Sequence, residues 1–226
     1  MGELGEPGGL GRLRAADALR TPGAAWSALA ALAAVGALAG WWLPAAWLDW
    51  QPARVAAEPW RAVSAAFVHW SARHLGANLL GVLIVASLGR VARLPAAAAL
   101  AWLAAWPLVQ IGLLLQPALA HYGGLSGVLH AGVAVAGTWL VVERRARARA
   151  RAIGAALLVG LVVKVALERP WAGPLAHPFG WDIALAPLAH ASGVAAGTLA
   201  AAVALLRRRQ SGARERLDAH RPDAPP

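Results

Sequence analysis

The chain has 226 residues, of which 59% are hydrophobic and only 14% charged, with a formal net charge of +10. A soluble domain carries about 25% charged residues, so this chain cannot clothe itself in polar surface, and a lipid bilayer is its expected surroundings. The absence of cysteine excludes disulfides, thiolate chemistry and cysteine-ligated zinc, and the gathering of arginine at the ends of apolar segments argues against a nucleic-acid partner.

In chain order, residues 1–25 form a Gly-rich, weakly basic N-terminal segment. The first apolar run, 26–43, is too long for a signal-peptide core and lacks a small-residue cleavage site, so it is expected to be retained as a span. Five further segments approach the roughly 20 apolar residues a crossing helix needs: 73–89, 94–116, 125–142, 152–167 and 187–206. His74 and Asn78 interrupt the first of these five, which is the second span overall. The expected fold is all-α, a polytopic six-helix membrane bundle over residues 26–206. Residues 207–226 are basic and proline-bearing, and a disordered cytoplasmic tail is expected there.

Arginine sets the orientation. With the N-terminus in the cytoplasm, the inner segments hold sixteen arginines and the outer ones four: Arg54, Arg61, Arg73 and Arg169. That bias predicts cytoplasmic termini. Lys164, near the outer end of the fifth span, is expected to snorkel outward. Trp41, Trp42, Trp47, Trp50, Trp60, Trp70, Trp171 and Trp181 then fall on the outer side, as an interfacial belt. Spans two, four and six run from outside to inside. Their unusual polar residues, His74 and Asn78, Ser126, and His190, therefore begin at one depth.

Polar side chains are expensive in lipid, and an intramembrane ionisable group is a functional candidate by default. Ser126 lies in Gly123-Gly124-Leu125-Ser126-Gly127 at the head of span four. The unpaired N–H groups and positive dipole end of a helix favour negative charge there. Gly124 and Gly127 allow close backbone approach. A plain helix cap beside glycines would look the same on this string alone. His190 opens a run in which Gly193 and Gly197 form a GxxxG stripe for helix packing; a hydrogen-bonded interface histidine is the alternative role. His74 and Asn78, at i and i+4, share one helix face and offer donors to a developing oxyanion. A metal pair also fits that spacing, but no nearby Glu, Asp or Cys completes a zinc shell. No metal and no cofactor is expected.

His130, one turn below Ser126, is expected to contact His190 by stacking or hydrogen bonding, or to be the base itself, although a base on the nucleophile's own helix is poorly placed to reach its hydroxyl. His69, His121 and His177 are expected to be solvated or interfacial. No acid falls inside a span, and Asp182, eight residues before His190 with Pro187 between, is a poor triad member. A Ser–His dyad is the natural reading.

Trp60-Arg61, His74-x-x-x-Asn78, Gly124-x-Ser126-Gly127 and His190-x-x-Gly193-x-x-x-Gly197, in this order across about residues 55–200, resemble the rhomboid intramembrane serine proteases. The resemblance implies Ser126 as nucleophile and His190 as general base. It implies an oxyanion hole of Asn78, His74 and the Ser126 N–H, and an outer first loop, embedded in the membrane, that contains Trp60-Arg61. Many rhomboids have tyrosine where His130 stands. The stretch Gly124 to His130 is similar to the rhombosortase branch. That likeness implies membrane-anchored protein substrates with a C-terminal transmembrane tail of the GlyGly-CTERM type. It also implies residence in a bacterial inner membrane, with the site opening to the periplasm. Two other functions compete: an inactive relative that binds membrane helices, and a small transporter using a histidine relay. The transporter would want acids within spans and an internal repeat.

Overall fold

The computed structural model describes residues 21–143 and 147–219. The N-terminal segment up to residue 20, the inner arginines 144 and 145, and residues 220–226 lie outside the described residues. The helices in chain order are α1 (Ala24–Gly40), α2 (Ala45–Leu48), α3 (Arg61–Ser64), α4 (Ala72–Val91), α5 (Ala96–Ile111), α6 (Ser126–Val142), α7 (Ala148–Glu168) and α8 (Pro187–Ala219). Short 3-10 turns follow α3 and α5. Among the described residues there is no named strand, only two isolated bridges.

Among the described residues, four helical stretches are long and apolar enough to cross a membrane: Ala72–Val91, Ala96–Leu115, Ala148–Glu168 and Pro187–Arg214. The apolar helices α1 and α6 have 17 residues each. Punctuation sets the boundaries. Ser71 caps α4 by accepting the His74 N–H at 3.1 Å. Pro95 and Pro187 sit at helix starts, where a missing N–H is harmless. Arg169, in the left-handed region, and Pro170 stop α7. The last helix differs from expectation. It continues without a break past residue 206 to Ala219, so residues 207–219 extend the span as helix instead of starting a disordered tail.

α6 is the central element. It packs on α4, α5, α7 and α8, and most of its residues are buried. Small residues make this possible. A Cβ at Gly193 would overlap the Gly127 carbonyl oxygen, and one at Gly197 would overlap that of Ala131. α6 and α8 therefore meet backbone to backbone, as expected of the GxxxG stripe. Trp26 and Trp102 pack with centroids 4.6 Å apart and planes tilted by 31°, and their indole N–H groups donate to the Val85 and Val128 carbonyls. These contacts join α1, α4, α5 and α6. By contrast, α7 buries only Gly154 and Leu161.

Between α1 and α4 runs a long loop held by one cation. Arg61 is 2% exposed, and its guanidinium donates to the Asp49 carboxylate and carbonyl, the Ala46 carbonyl and Glu58. Asp49 also takes the His121 ring nitrogen at 2.6 Å. Next to it, Trp50 and Tyr122 exchange backbone hydrogen bonds of 2.8 and 3.0 Å, and Gly124 N–H donates to the Ala65 carbonyl at 2.9 Å. The segment leading into Ser126 is thus fastened to the first loop. Trp50 is fully buried, so it does not join the exposed tryptophans Trp42, Trp47, Trp60 and Trp171.

Candidate active site

Ser126 is the first residue of α6. Gly124 before it has φ of +133°, which an L side chain rarely adopts, and a Cβ there would press on His74 Nε2 and Cε1 at 2.8 Å. Glycine at this position lets the chain turn into α6 directly against His74. Gly127 is equally constrained, because a Cβ would meet Val109 and the Ala189 carbonyl. The Tyr122 hydroxyl donates to the Gly124 carbonyl at 3.2 Å. Burial pushes the Tyr122 phenol up to about 12, with the Ser126 hydroxyl and Gly127 backbone pulling the other way, so it stays neutral at ordinary pH.

His190, near the start of α8, has its Nε2 2.9 Å from Ser126 Oγ. Its ring is stacked on His130, with centroids 4.2 Å apart and planes 17° from parallel. The His130 Nδ1–H donates to the Ser126 carbonyl at 2.6 Å, so this nitrogen is engaged by backbone. Asn78 donates to the His74 carbonyl at 3.0 Å, and both residues line the same cavity as Ser126 and His190. The four residues, from the three helices α4, α6 and α8, therefore meet in one place.

This cavity, about 530 Å³, lies between α4 and α7. Its walls are mainly apolar, including Ala77, Gly81, Ile84, Leu129, Val133 and Leu161. The polar groups Ser126, His190, Lys164 and Glu168 also line it. A smaller pocket bordered by Trp70, His121, Tyr122 and Ile183 also reaches Ser126.

Two sequence expectations need correction. Glu168, the last residue of α7, accepts from His190 Nδ1 at 2.6 Å. It lies one residue past the apolar run 152–167, so the search for acids inside spans stopped short of it. Asp182 instead accepts from the Ser71 hydroxyl at 2.9 Å. Lys164 is paired with Glu168 one turn along α7. His69 is buried, with its ring 4.8 Å from that of His74, and neither solvated nor interfacial. Burial pushes its pKa down from 6.5 to about 4, the Phe67 carbonyl opposing. The i, i+4 pairing of Lys164 and Glu168 was visible in the sequence; the contact of Glu168 with His190 was not, since nothing local signals it.

Among the described residues no cluster of three or more His, Cys, Asp or Glu could hold a metal ion. The family model described as Rhomboid domain matches residues 56–207, more than half of the chain and all of the residues just described. No curated protein gives a significant match.

Proposed function

Since the chain belongs to the rhomboid family, an integral membrane family of intramembrane serine proteases that also has inactive members, we propose that it is an active intramembrane serine endopeptidase. One observation carries this reading: the 2.9 Å approach of His190 Nε2 to Ser126 Oγ. A nucleophile and base within hydrogen-bond reach are the signature of covalent catalysis.

In the proposed cycle, Ser126 Oγ attacks the scissile carbonyl carbon while its proton passes to His190 Nε2. The tetrahedral oxyanion is held by N–H donors from Asn78, His74 and the start of α6. His190 then returns the proton to the leaving nitrogen as the C–N bond breaks. Water, deprotonated by the same imidazole, hydrolyses the acyl-enzyme and restores the serine. Gly124, Gly127, Gly193 and Gly197 support the site by close packing, and His130 supports it by stacking.

The finer reading is a six-span protein of a bacterial inner membrane, with both termini cytoplasmic and the site open to the periplasm. Its substrates are membrane-anchored proteins carrying a C-terminal transmembrane tail, as in the rhombosortase branch. The Gly124 to His130 string and the arginine distribution support this assignment. The experiment is cleavage, in liposomes, of a reporter ending in a glycine-rich motif, one apolar helix and a basic end. Wild type should release the reporter, and Ser126→Ala and His190→Ala should not. The double mutant should be no worse than either single, because residues acting as a unit are non-additive. Release by Ser126→Ala would exclude the mechanism, and release only from a reporter with an internal, non-terminal anchor would exclude the branch.

A further inference from the structure

The base of the proposed protease has a partner on its far side. His190 Nδ1 lies 2.6 Å from Glu168 Oε2, while Nε2 of the same ring lies 2.9 Å from Ser126 Oγ. The three groups come from α7, α8 and α6, and form one hydrogen-bonded chain. The His190 side chain is 7% exposed and that of Glu168 25%. The other carboxylate oxygen of Glu168 is paired with Lys164, whose Nζ is itself 3.5 Å from His190 Nδ1.

We propose that Glu168 is the positioning residue of a Ser126–His190–Glu168 triad, and that its pairing with Lys164 keeps the His190 ring in the reactive tautomer; this rests on the protease reading above. A neutral imidazole carries one N–H, and an ionised carboxylate only accepts. With Glu168 at Nδ1, the hydrogen is on Nδ1, and Nε2 is left with a lone pair facing the serine hydroxyl. The Lys164 ammonium has no acceptor. Were it to donate to Nδ1, the hydrogen would move to Nε2 and the ring could not take the serine proton. Glu168 prevents this by binding the ammonium through one oxygen and the imidazole through the other. As Ser126 Oγ–H passes its proton to Nε2, the imidazolium that forms faces the carboxylate, which stabilises it without taking the proton.

The arrangement makes an unusual prediction for the isosteric variant. In Glu168→Gln the amide must turn its carbonyl to Lys164, so its NH₂ faces Nδ1 and selects the unreactive tautomer. In a serine-protease triad the corresponding acid-to-amide change loses on the order of 10⁴-fold in kcat. Replacing Lys164 with Met in that variant releases the amide to rotate, and its carbonyl can again accept from Nδ1.

The test measures reporter cleavage in liposomes together with labelling of Ser126 by a fluorophosphonate probe, for wild type, Glu168→Gln, Lys164→Met, the double variant and Ser126→Ala, each with its thermal unfolding midpoint in detergent. The proposal expects Glu168→Gln to lose at least 10²-fold in kcat and in labelling rate, with KM and the unfolding midpoint little changed. It expects the double variant to recover at least tenfold over Glu168→Gln. Cleavage and labelling by Glu168→Gln within about threefold of wild type would overturn the triad while leaving the protease reading intact, as would a double variant no faster than Glu168→Gln. Equal labelling of wild type and Ser126→Ala would overturn the protease reading itself, and the triad with it.

Discussion

The imidazole of His130 lies flat on that of His190, their centroids 4.2 Å apart, while its own Nδ1–H is committed to the Ser126 carbonyl. One ring is thus pinned by backbone and serves as a platform for the other. The contact is a matter of shape, and a different aromatic of suitable size should serve.

His130→Tyr is accordingly expected to keep substantial cleavage activity, because a planar ring remains beneath His190. His130→Ala should lose more, since the void removes the ring's support. Turnover of both variants on one reporter decides the matter. A His130→Tyr protein as inactive as Ser126→Ala would mean that the imidazole takes part in the chemistry directly.

Asn78→Ala should lower kcat by about 10²-fold, the usual scale for losing one preorganised oxyanion donor. The Asn78 amide already gives one hydrogen to the His74 carbonyl, and after the substitution that carbonyl still accepts the backbone N–H of residue 78 within the helix. The loss should therefore fall on turnover rather than on unfolding temperature, and paired measurements of the two distinguish a donor from a packing residue.

How far the sequence carried depended on whether a feature is local. Apolar runs and their arginine boundaries are local, and the helices begin and end near them. The glycines around Ser126 and His190 are also legible, since small residues four apart imply close helix packing, and Gly193 does lie against Gly127. Glu168 was not legible, because hydropathy closes the span at Leu167 and only the tertiary fold brings a carboxylate 22 positions away onto His190. The same applies to His69, which looks like a loop histidine in the sequence but is covered by the packing around His74.

Arg61→Ala should be strongly destabilising, by about 3–5 kcal/mol, the scale for breaking a buried ion pair from one side. The loss leaves Asp49, itself 1% exposed, without its guanidinium, and frees the Ala46 carbonyl. Thermal unfolding in detergent measures this. A change of less than about 1 kcal/mol would show that the loop is held chiefly by its backbone contacts.

Stability should fall as the medium is acidified from about pH 6.5 towards pH 4. His69 has a folded-state pKa of about 4 against 6.5 when unfolded. In that window the unfolded chain binds the proton and the folded one does not, so stability is complete above 6.5 and is lost as pH drops. The His69→Phe variant should have a flatter dependence of unfolding temperature on pH over this range; an unchanged slope would assign the acid sensitivity to other groups.

The backbone exchange between Trp50 and Tyr122 ties the segment ahead of Ser126 to the loop between α1 and α4. α6 has only 17 residues, roughly 25 Å of helix, against a hydrocarbon layer of about 30 Å, so matching its length to the bilayer cannot fix where its first residue sits. Instead Ser126 follows a segment stitched to a loop that carries the exposed Trp47 and Trp60. Tryptophans of this kind settle at the headgroup level. In the proposed protease the serine should therefore hang from the headgroup level like a plumb bob on a fixed cord, and in a thicker bilayer it should keep its depth below the headgroups while its distance from the midplane grows.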